Sequence, residues 1–294
     1  METTQLTLRL LGAPTLLSGD SPVALSPGAS LLCAYLALAP KEGRARDIAA
    51  AHLFSDCSAP TARRRLNTAV WRLRTEVRAR TGVEIVAEAT GRRVALSSAI
   101  EVALDARLFE QLTTPTLETR AHDLTPAQAS ALEAAVSMHR GTLVEPCDHE
   151  WVLSERARIE NLYLTALDHL LQYYGARKEL GAIAKYGDMA LAMEPLREDV
   201  HRHVMAAYGA AGRDDLVERQ FERCRTVLLE ELGADPMPET IALYATLRRR
   251  EPSAPGEGNP SVGALVAELE RAHREITRLS EIVDRALDHV ARLR

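Results

Sequence analysis

Thr61-Ala-Arg-Arg-Arg-Leu-Asn-Thr-Ala-Val-Trp-Arg-Leu-Arg-Thr-Glu-Val-Arg-Ala-Arg80 decides how this chain is read. Seven arginines and one acid, Glu76, stand in this stretch, inside a protein of formal net charge -5. Its apolar residues fall at Ala62, Leu66, Ala69, Val70, Leu73 and Val77. That is the spacing of an amphipathic helix with one core-facing stripe. The opposite face carries Arg64, Asn67, Thr68, Trp71, Arg72 and Thr75. Arginine neutralises phosphate and forks onto guanine, and asparagine pairs with adenine, so this face suits a nucleic-acid groove. A merely solvated helix also shows a basic face, so the flanking sequence has to arbitrate.

Upstream, residues 5–25 alternate loosely and are broken by Gly12, Pro14, Gly19 and Pro22, which predicts two or three short strands. Ser26-Pro27 then opens a helix, with serine at the cap and proline in the first turn, running to about Leu38. A second short helix spans 47–53, a loop spans 55–60, and the basic helix runs over 62–80, closed by Thr81-Gly82. Residues 83–89 and 93–97 flank Thr90-Gly91 as a hairpin. Strands, three helices and a hairpin in this order predict a winged helix-turn-helix domain over residues 1–104. Its third helix would enter the major groove, and Arg92 and Arg93 at the hairpin tip would reach the backbone or minor groove.

Residues 105–251 read as almost wholly helical. Tyr174-Gly175-Ala176 recurs as Tyr208-Gly209-Ala210, a shift of 34 residues, which is the tetratricopeptide period. Ile183, Ala190 and Pro195 fill further repeat slots in one copy, and Val217, Phe221 and Cys224 in the next. Such repeats build surfaces for partners more than catalytic sites; generic antiparallel helices of similar length are the alternative. Residues 252–261 are rich in Pro, Gly and Ser and form a linker. Beyond it, Val262, Leu269, Ile276, Val283 and Val290 repeat every seven residues, as do Leu265, Ala272, Leu279, Ala286 and Leu293. Residues 262–294 are therefore expected to form a coiled-coil helix, or an amphipathic helix folded back on the repeats. The fold class expected is mainly α: an N-terminal α+β winged helix-turn-helix, an all-α tetratricopeptide-like domain and a C-terminal heptad helix.

The remaining composition narrows the chemistry. Residues 1–106 hold 13 Lys and Arg against 10 Asp and Glu, so the basic charge is local to the N-terminal part. Arginines outnumber lysines 33 to 3, which a GC-rich genome explains as well as function does. No run reaches the ~20 apolar residues of a membrane span, and Met1-Glu-Thr-Thr-Gln5 does not open a signal peptide. A cytoplasmic, nucleoid-associated protein is expected. Cys33, Cys57, Cys147 and Cys224 form no CxxC pair, and His201 and His203 point apart on a helix. Neither a metal site nor a cofactor is expected. No phosphate loop, GxSxG or HExxH motif is present, so no enzyme is expected.

The matches are specific enough to name a family. The N-terminal part has Leu8-Arg-Leu-Leu-Gly12, Arg46-Asp47 and Arg65-Leu-Asn-Thr-Ala-Val-Trp-Arg-Leu-Arg74. The second part has Gly141-Thr-Leu143, Glu150-Trp151-Val152, Glu155-Arg156, Glu194-Pro-Leu-Arg-Glu198, Ala211-Gly212 and Leu228-Leu-Glu-Glu-Leu-Gly233. Pro236, Pro238, Glu239-Thr240 and Leu243 follow. Over residues 6–250 the chain resembles the SARP-type transcriptional activators, a winged helix joined to a bacterial transcriptional activation domain.

The resemblance implies activation of a secondary-metabolite (antibiotic) gene cluster, by binding direct repeats in promoter double-stranded DNA and recruiting RNA polymerase holoenzyme. It implies recognition-helix positions Arg64, Asn67, Thr68, Trp71, Arg72 and Arg74, and a polymerase-contact loop at Phe54, Ser55 and Asp56. That loop departs from the family's Leu-Trp-Pro-Asp, reading Leu53-Phe-Ser-Asp56. Arg63, Arg65, Arg74 and the wing are expected to hold phosphates, and Arg64, Asn67, Thr68 and Arg72 to read bases. Trp71, at the border of the apolar stripe, either meets DNA or packs on the wing or core. Arg74 either binds phosphate or pairs with Glu76 or an acid of the next domain. Trp151 is expected to anchor helix packing. A homodimer on DNA is expected. The alternative reading is a signal- or partner-binding adaptor acting through its repeats.

Overall fold

The computed structural model describes residues 6–87, 92–99 and 102–249. The linker, the heptad segment and the Thr90-Gly91 turn lie outside the described residues.

The chain opens with β1 (Leu6–Arg9), β2 (Thr15–Ser18) and β3 (Ser21–Val23). Leu6 and Leu8 of β1 point into the core while Arg9 is exposed, the alternation of a half-buried strand. β2 pairs antiparallel with β1 and β3 with β2, and Pro22 sits on the edge strand, where its missing donor costs no ladder bond. A fourth strand, β7 (Val102–Leu104), joins the other side of β1 in parallel, with Leu8 opposite Leu104.

Three helices fill the space between these strands. They are α1 (Pro27–Ala37), α2 (Arg46–Leu53) and α3 (Ala59–Thr81). Ala62, Leu66, Ala69, Val70, Leu73 and Val77 of α3 are all buried, as the periodicity predicts. α3 ends where Gly82 takes a left-handed φ of 73° and donates its N–H to Arg78 O. The expected Ser26 cap of α1 is different in detail. Ser26 makes no side-chain cap bond; its N–H and Oγ both turn to Oε2 of Glu76 on α3, at 2.8 and 3.3 Å. A carboxylate from another helix thus sits at the α1 N-terminus, where the helix dipole favours it.

The hairpin is a three-stranded sheet: β5 (Val86–Ala87), β6 (Arg93–Leu96) and β4 (Arg44–Ala45), in the order β4-β6-β5. β4 enters α2 directly, so the wing and the helix-turn-helix share a strand. Gly43 makes this possible. Its φ is 70°, and a Cβ there would lie 2.3 Å from the Val94 carbonyl oxygen.

From Asp105 the chain is helical: α4 (Asp105–Leu117), a 3-10 turn at Ala121–Asp123, α5 (Pro126–Met138), α6 (Glu150–Arg177), α7 (Leu180–Met193), α8 (Glu198–Ala210), α9 (Asp214–Leu232) and α10 (Pro238–Arg248). α6 packs on α7, α7 on α8, α8 on α9, and α10 closes the end against α8 and α9. The buried slots Ile183, Ala190, Val217, Phe221 and Cys224 match the repeat reading. Gly187 and Gly209 let neighbouring helices close up: a Cβ at either would lie 2.5 Å from Val204 or Leu247.

No linker separates the winged helix from these helices; residues 1–249 form one compact unit. Asp105, 7% exposed, accepts from the backbone N–H of Leu10 at 2.7 Å, of Leu11 at 3.2 Å and of Ala106 at 2.8 Å. One carboxylate therefore ties the end of β1 to the first turn of α4. Leu143 bridges to Leu11, and Val144 N–H donates to Leu10 O at 2.8 Å. Trp151 of α6 meets Tyr35 of α1 edge-on at 4.9 Å, the packing role expected of it. Arg156, in the Glu155-Arg156 pair, spends its guanidinium on the carbonyls of Leu143 and Cys147.

Candidate nucleic-acid interface

The outer face of α3 is the one strongly basic, regular surface that the sequence singles out, and the structure sorts its residues into three groups. The first forms a ridge. Arg64, Thr68, Trp71, Arg72 and Thr75 are exposed, and Trp71 is exposed to 64%. Trp71 is therefore not a core residue, and most of its ring is open to solvent. Arg64 and Arg72 make no ion pair among the described residues. Thr68 Oγ1 donates back to Arg64 O at 3.1 Å, an ordinary helical back-bond.

A second group flanks the ridge on the α2 side. Arg63 Nε donates to Asp47 at 2.7 Å, and Asn67 Oδ1 accepts from Arg46 at 2.8 Å. Further along, Arg74 Nε lies 3.1 Å from Glu84 and its NH2 donates to Val86 O at 3.4 Å. Arg74 is only 29% exposed. It sits at the joint between α3 and the hairpin, with Glu84 as an acidic neighbour. Glu76 itself is spent on Ser26.

The third group lies on the other flank, beside the loop that joins α2 to α3. Arg65 NH1 donates to both oxygens of Asp56, at 3.0 and 2.8 Å. The hydrogen bonds from Arg65 hold the Asp56 carboxyl below its ordinary value, and the same bonds raise Arg65. Both groups are exposed, so the pair contributes little stability and is open to exchange. Phe54 is half-buried while Ser55 and Asp56 are exposed. Phe54, Thr61, Arg64, Arg65, Thr68 and Arg72 line a groove of about 310 Å³ against Gly28 at the start of α1.

The two wing arginines part company. Arg93 Nε donates to Glu42 O at 2.9 Å and its NH2 to Gly43 O, so its side chain fastens β6 to the turn before β4. Arg92 is exposed, and its carbonyl accepts from Arg46 N–H at 2.7 Å. Sequence reasoning named Arg46, Asp47 and Glu76 without giving them these partners, and did not single out Glu84. The signal was partly visible, since Arg46-Asp47 opens a helix two charges deep, but their partners are set by the angle between α2 and α3.

Elsewhere, no helix among the described residues is long and apolar enough to cross a membrane. No group of three or more His, Cys, Asp or Glu that could hold a metal ion converges among them. Cys33, Cys57, Cys147 and Cys224 are free thiols, and burial pushes the Cys33 thiol up to about 12.

Comparison with known proteins places this build. Residues 104–248 match the model of the bacterial transcriptional activator domain. No curated protein sequence matches the chain. Among solved structures it is similar to EmbR of Mycobacterium tuberculosis, determined in complex with a low-affinity phosphopeptide. The identity is 21% and the TM-score 0.63, over 94% of this chain and 71% of that one. At that identity the likeness speaks to the fold, a small N-terminal sheet region followed by helices, the described residues being mainly helical. Residues 104–248 are a bacterial transcriptional activator domain by this match, and with a winged-helix build in front of it the chain is similar to transcriptional activators of the SARP type.

Proposed function

We propose that this chain is an activator that binds direct repeats in promoter DNA and recruits RNA polymerase to a secondary-metabolite gene cluster. One observation carries the DNA-binding part. α3 buries its whole apolar stripe and still presents Arg64, Thr68, Trp71 and Arg72 to solvent, with both arginines outside any ion pair of the described residues. A helix held this rigidly, with an unneutralised ridge of arginines between polar and aromatic groups, has the composition that reads a major groove. Arg63 and Arg65, tied to exposed acids, exchange those partners for phosphate; Arg92 reaches the backbone beside them. Arg74 and Arg93 position the hairpin.

Residues 1–104 are the DNA-binding domain in this reading and residues 105–251 the activation domain, with Phe54, Ser55 and Asp56 meeting polymerase. Two protomers on direct repeats face the same way. The heptads over 262–294 would join them as a homodimer, and the 252–261 linker would decouple the two-fold of a coiled coil from the tandem arrangement on DNA. Cutting that linker to about two residues is expected to weaken binding to tandem sites and leave single half-sites unaffected.

Arg72→Ala tests the reading. A bidentate base contact is worth roughly 1–3 kcal/mol of discrimination. The variant is expected to lose that much on a cognate duplex and far less on random DNA. Equal losses on both would move Arg72 to the phosphate backbone.

A further inference from the structure

Arg46 opens α2, and its guanidinium donates to Oδ1 of Asn67 on α3 at 2.8 Å. Arginine has no acceptor, so the atom it meets has to be the amide oxygen; no other orientation of the Asn67 amide makes the bond. The two N–H donors of Asn67 are therefore turned away from Arg46. Arg46 is itself pinned, because its backbone N–H donates to Arg92 O at 2.7 Å where the wing meets α2. Its neighbour Asp47 holds Arg63, one helical turn before Asn67, at 2.7 Å. The first turn of α2 thus grips two residues on the same flank of α3.

Reading adenine takes both halves of an asparagine amide: Oδ1 accepts from N6 and the N–H donates to N7. With one of its two Oδ1 lone pairs taken by a charged donor, Asn67 offers the groove mainly N–H groups, and Arg46 adds its own remaining N–H groups beside them. The pair is a donor array. The base edge that answers donors with two acceptors is guanine, through O6 and N7. We propose that Arg46 and Asn67 act as one unit that reads a guanine, in place of an asparagine reading adenine alone. The proposal rests on α3 being the DNA-reading helix.

The test is selection of duplexes from a randomised pool by the full chain and by Arg46→Ala, Arg46→Lys and Asn67→Ala, with thermal melts confirming that each variant folds. The wild type is expected to fix guanine at the position that relaxes when Asn67 is removed. Arg46→Ala is expected to relax that same position, by roughly tenfold in base preference, and the double variant no further than the worse single one. Arg46→Lys keeps the charge and so the affinity for random DNA, but not the fork geometry, and is expected to lose the guanine preference. Adenine at the Asn67-dependent position, or an unchanged site in Arg46→Ala, overturns the proposal while leaving α3 as the reader. A wild type that enriches no sequence overturns both.

Discussion

Asp105→Ala should unlock the joint on which the molecule is built. The carboxylate accepts from Leu10, Leu11 and Ala106 N–H groups and is itself buried. Its removal strands the Leu10 and Leu11 amides inside the protein. Each orphaned buried donor costs about 1–3 kcal/mol, so the expected loss is about 2–6 kcal/mol, a large share of the ~5–15 kcal/mol of a natural fold. Asp105→Asn keeps an acceptor oxygen but sets an N–H2 against one of the donors, and should fall between. Burial holds the Asp105 carboxyl above its ordinary value, against the pull of the three amides and Arg140. An acid raised in the folded state binds its proton more tightly there. Its contribution to stability therefore declines as pH rises from the unfolded value through the folded one, and Asp105→Asn removes that slope. The assay is urea unfolding, followed by far-UV circular dichroism and by fluorescence of Trp151 at the Tyr35 contact. The exposed Trp71 changes little and can be replaced by Phe to clear the signal. Because the winged helix and the helical part share one unit, both probes should move together at a lower midpoint. A loss under about 1 kcal/mol, or separate transitions for sheet and helices, would refute the argument that one carboxylate holds the joint.

Other outcomes follow from the same geometry. His201 is buried, with Nε2 donating to Pro195 O at 3.1 Å and Nδ1 accepting from Gln220 at 2.8 Å. Burial lowers it below its ordinary 6.5, so stability should drop as pH falls from 6.5 through the folded value, and His201→Asn should flatten that part of a melting-temperature profile. Gly43→Ala forces a left-handed residue into the Val94 carbonyl and should cost at least about 2 kcal/mol in urea unfolding, loosening the wing. Trp71→Ala should shift stability by less than about 0.5 kcal/mol, since the ring is solvent-exposed, yet weaken DNA binding measurably; the reverse pattern would make it a packing residue.

The fold was legible wherever burial writes a period into the chain. The stripe from Ala62 to Val77 and the Gly82 stop stand as the spacing predicts, and residues from Asp105 onward are helical as read. Short elements whose stability comes from distant partners were not. β7 is three residues long and exists because Leu104 lies beside Leu8, and β4 is two residues closed by the hairpin. The same boundary runs through the candidate site. That α3 has a basic outer face can be read from sequence, but not which arginines are already spent. Arg63 finds Asp47, Arg65 finds Asp56, Arg74 finds Glu84 and Arg93 finds two carbonyls. Those pairings depend on the angle between helices and on the hairpin's path, which a single sequence does not encode locally. Ser26 is the clearest case: its sequence context promises a cap, and tertiary structure supplies Glu76 instead.

The most direct test of the central claim is immunoprecipitation of the DNA bound in the cell, followed by binding to the recovered site across a salt series. The account predicts a short direct repeat beside promoter elements, bound with a steep salt slope and still tightly at physiological ionic strength. No enriched site, with weak binding that vanishes by physiological salt, would contradict it and leave the α3 ridge as a solvated surface.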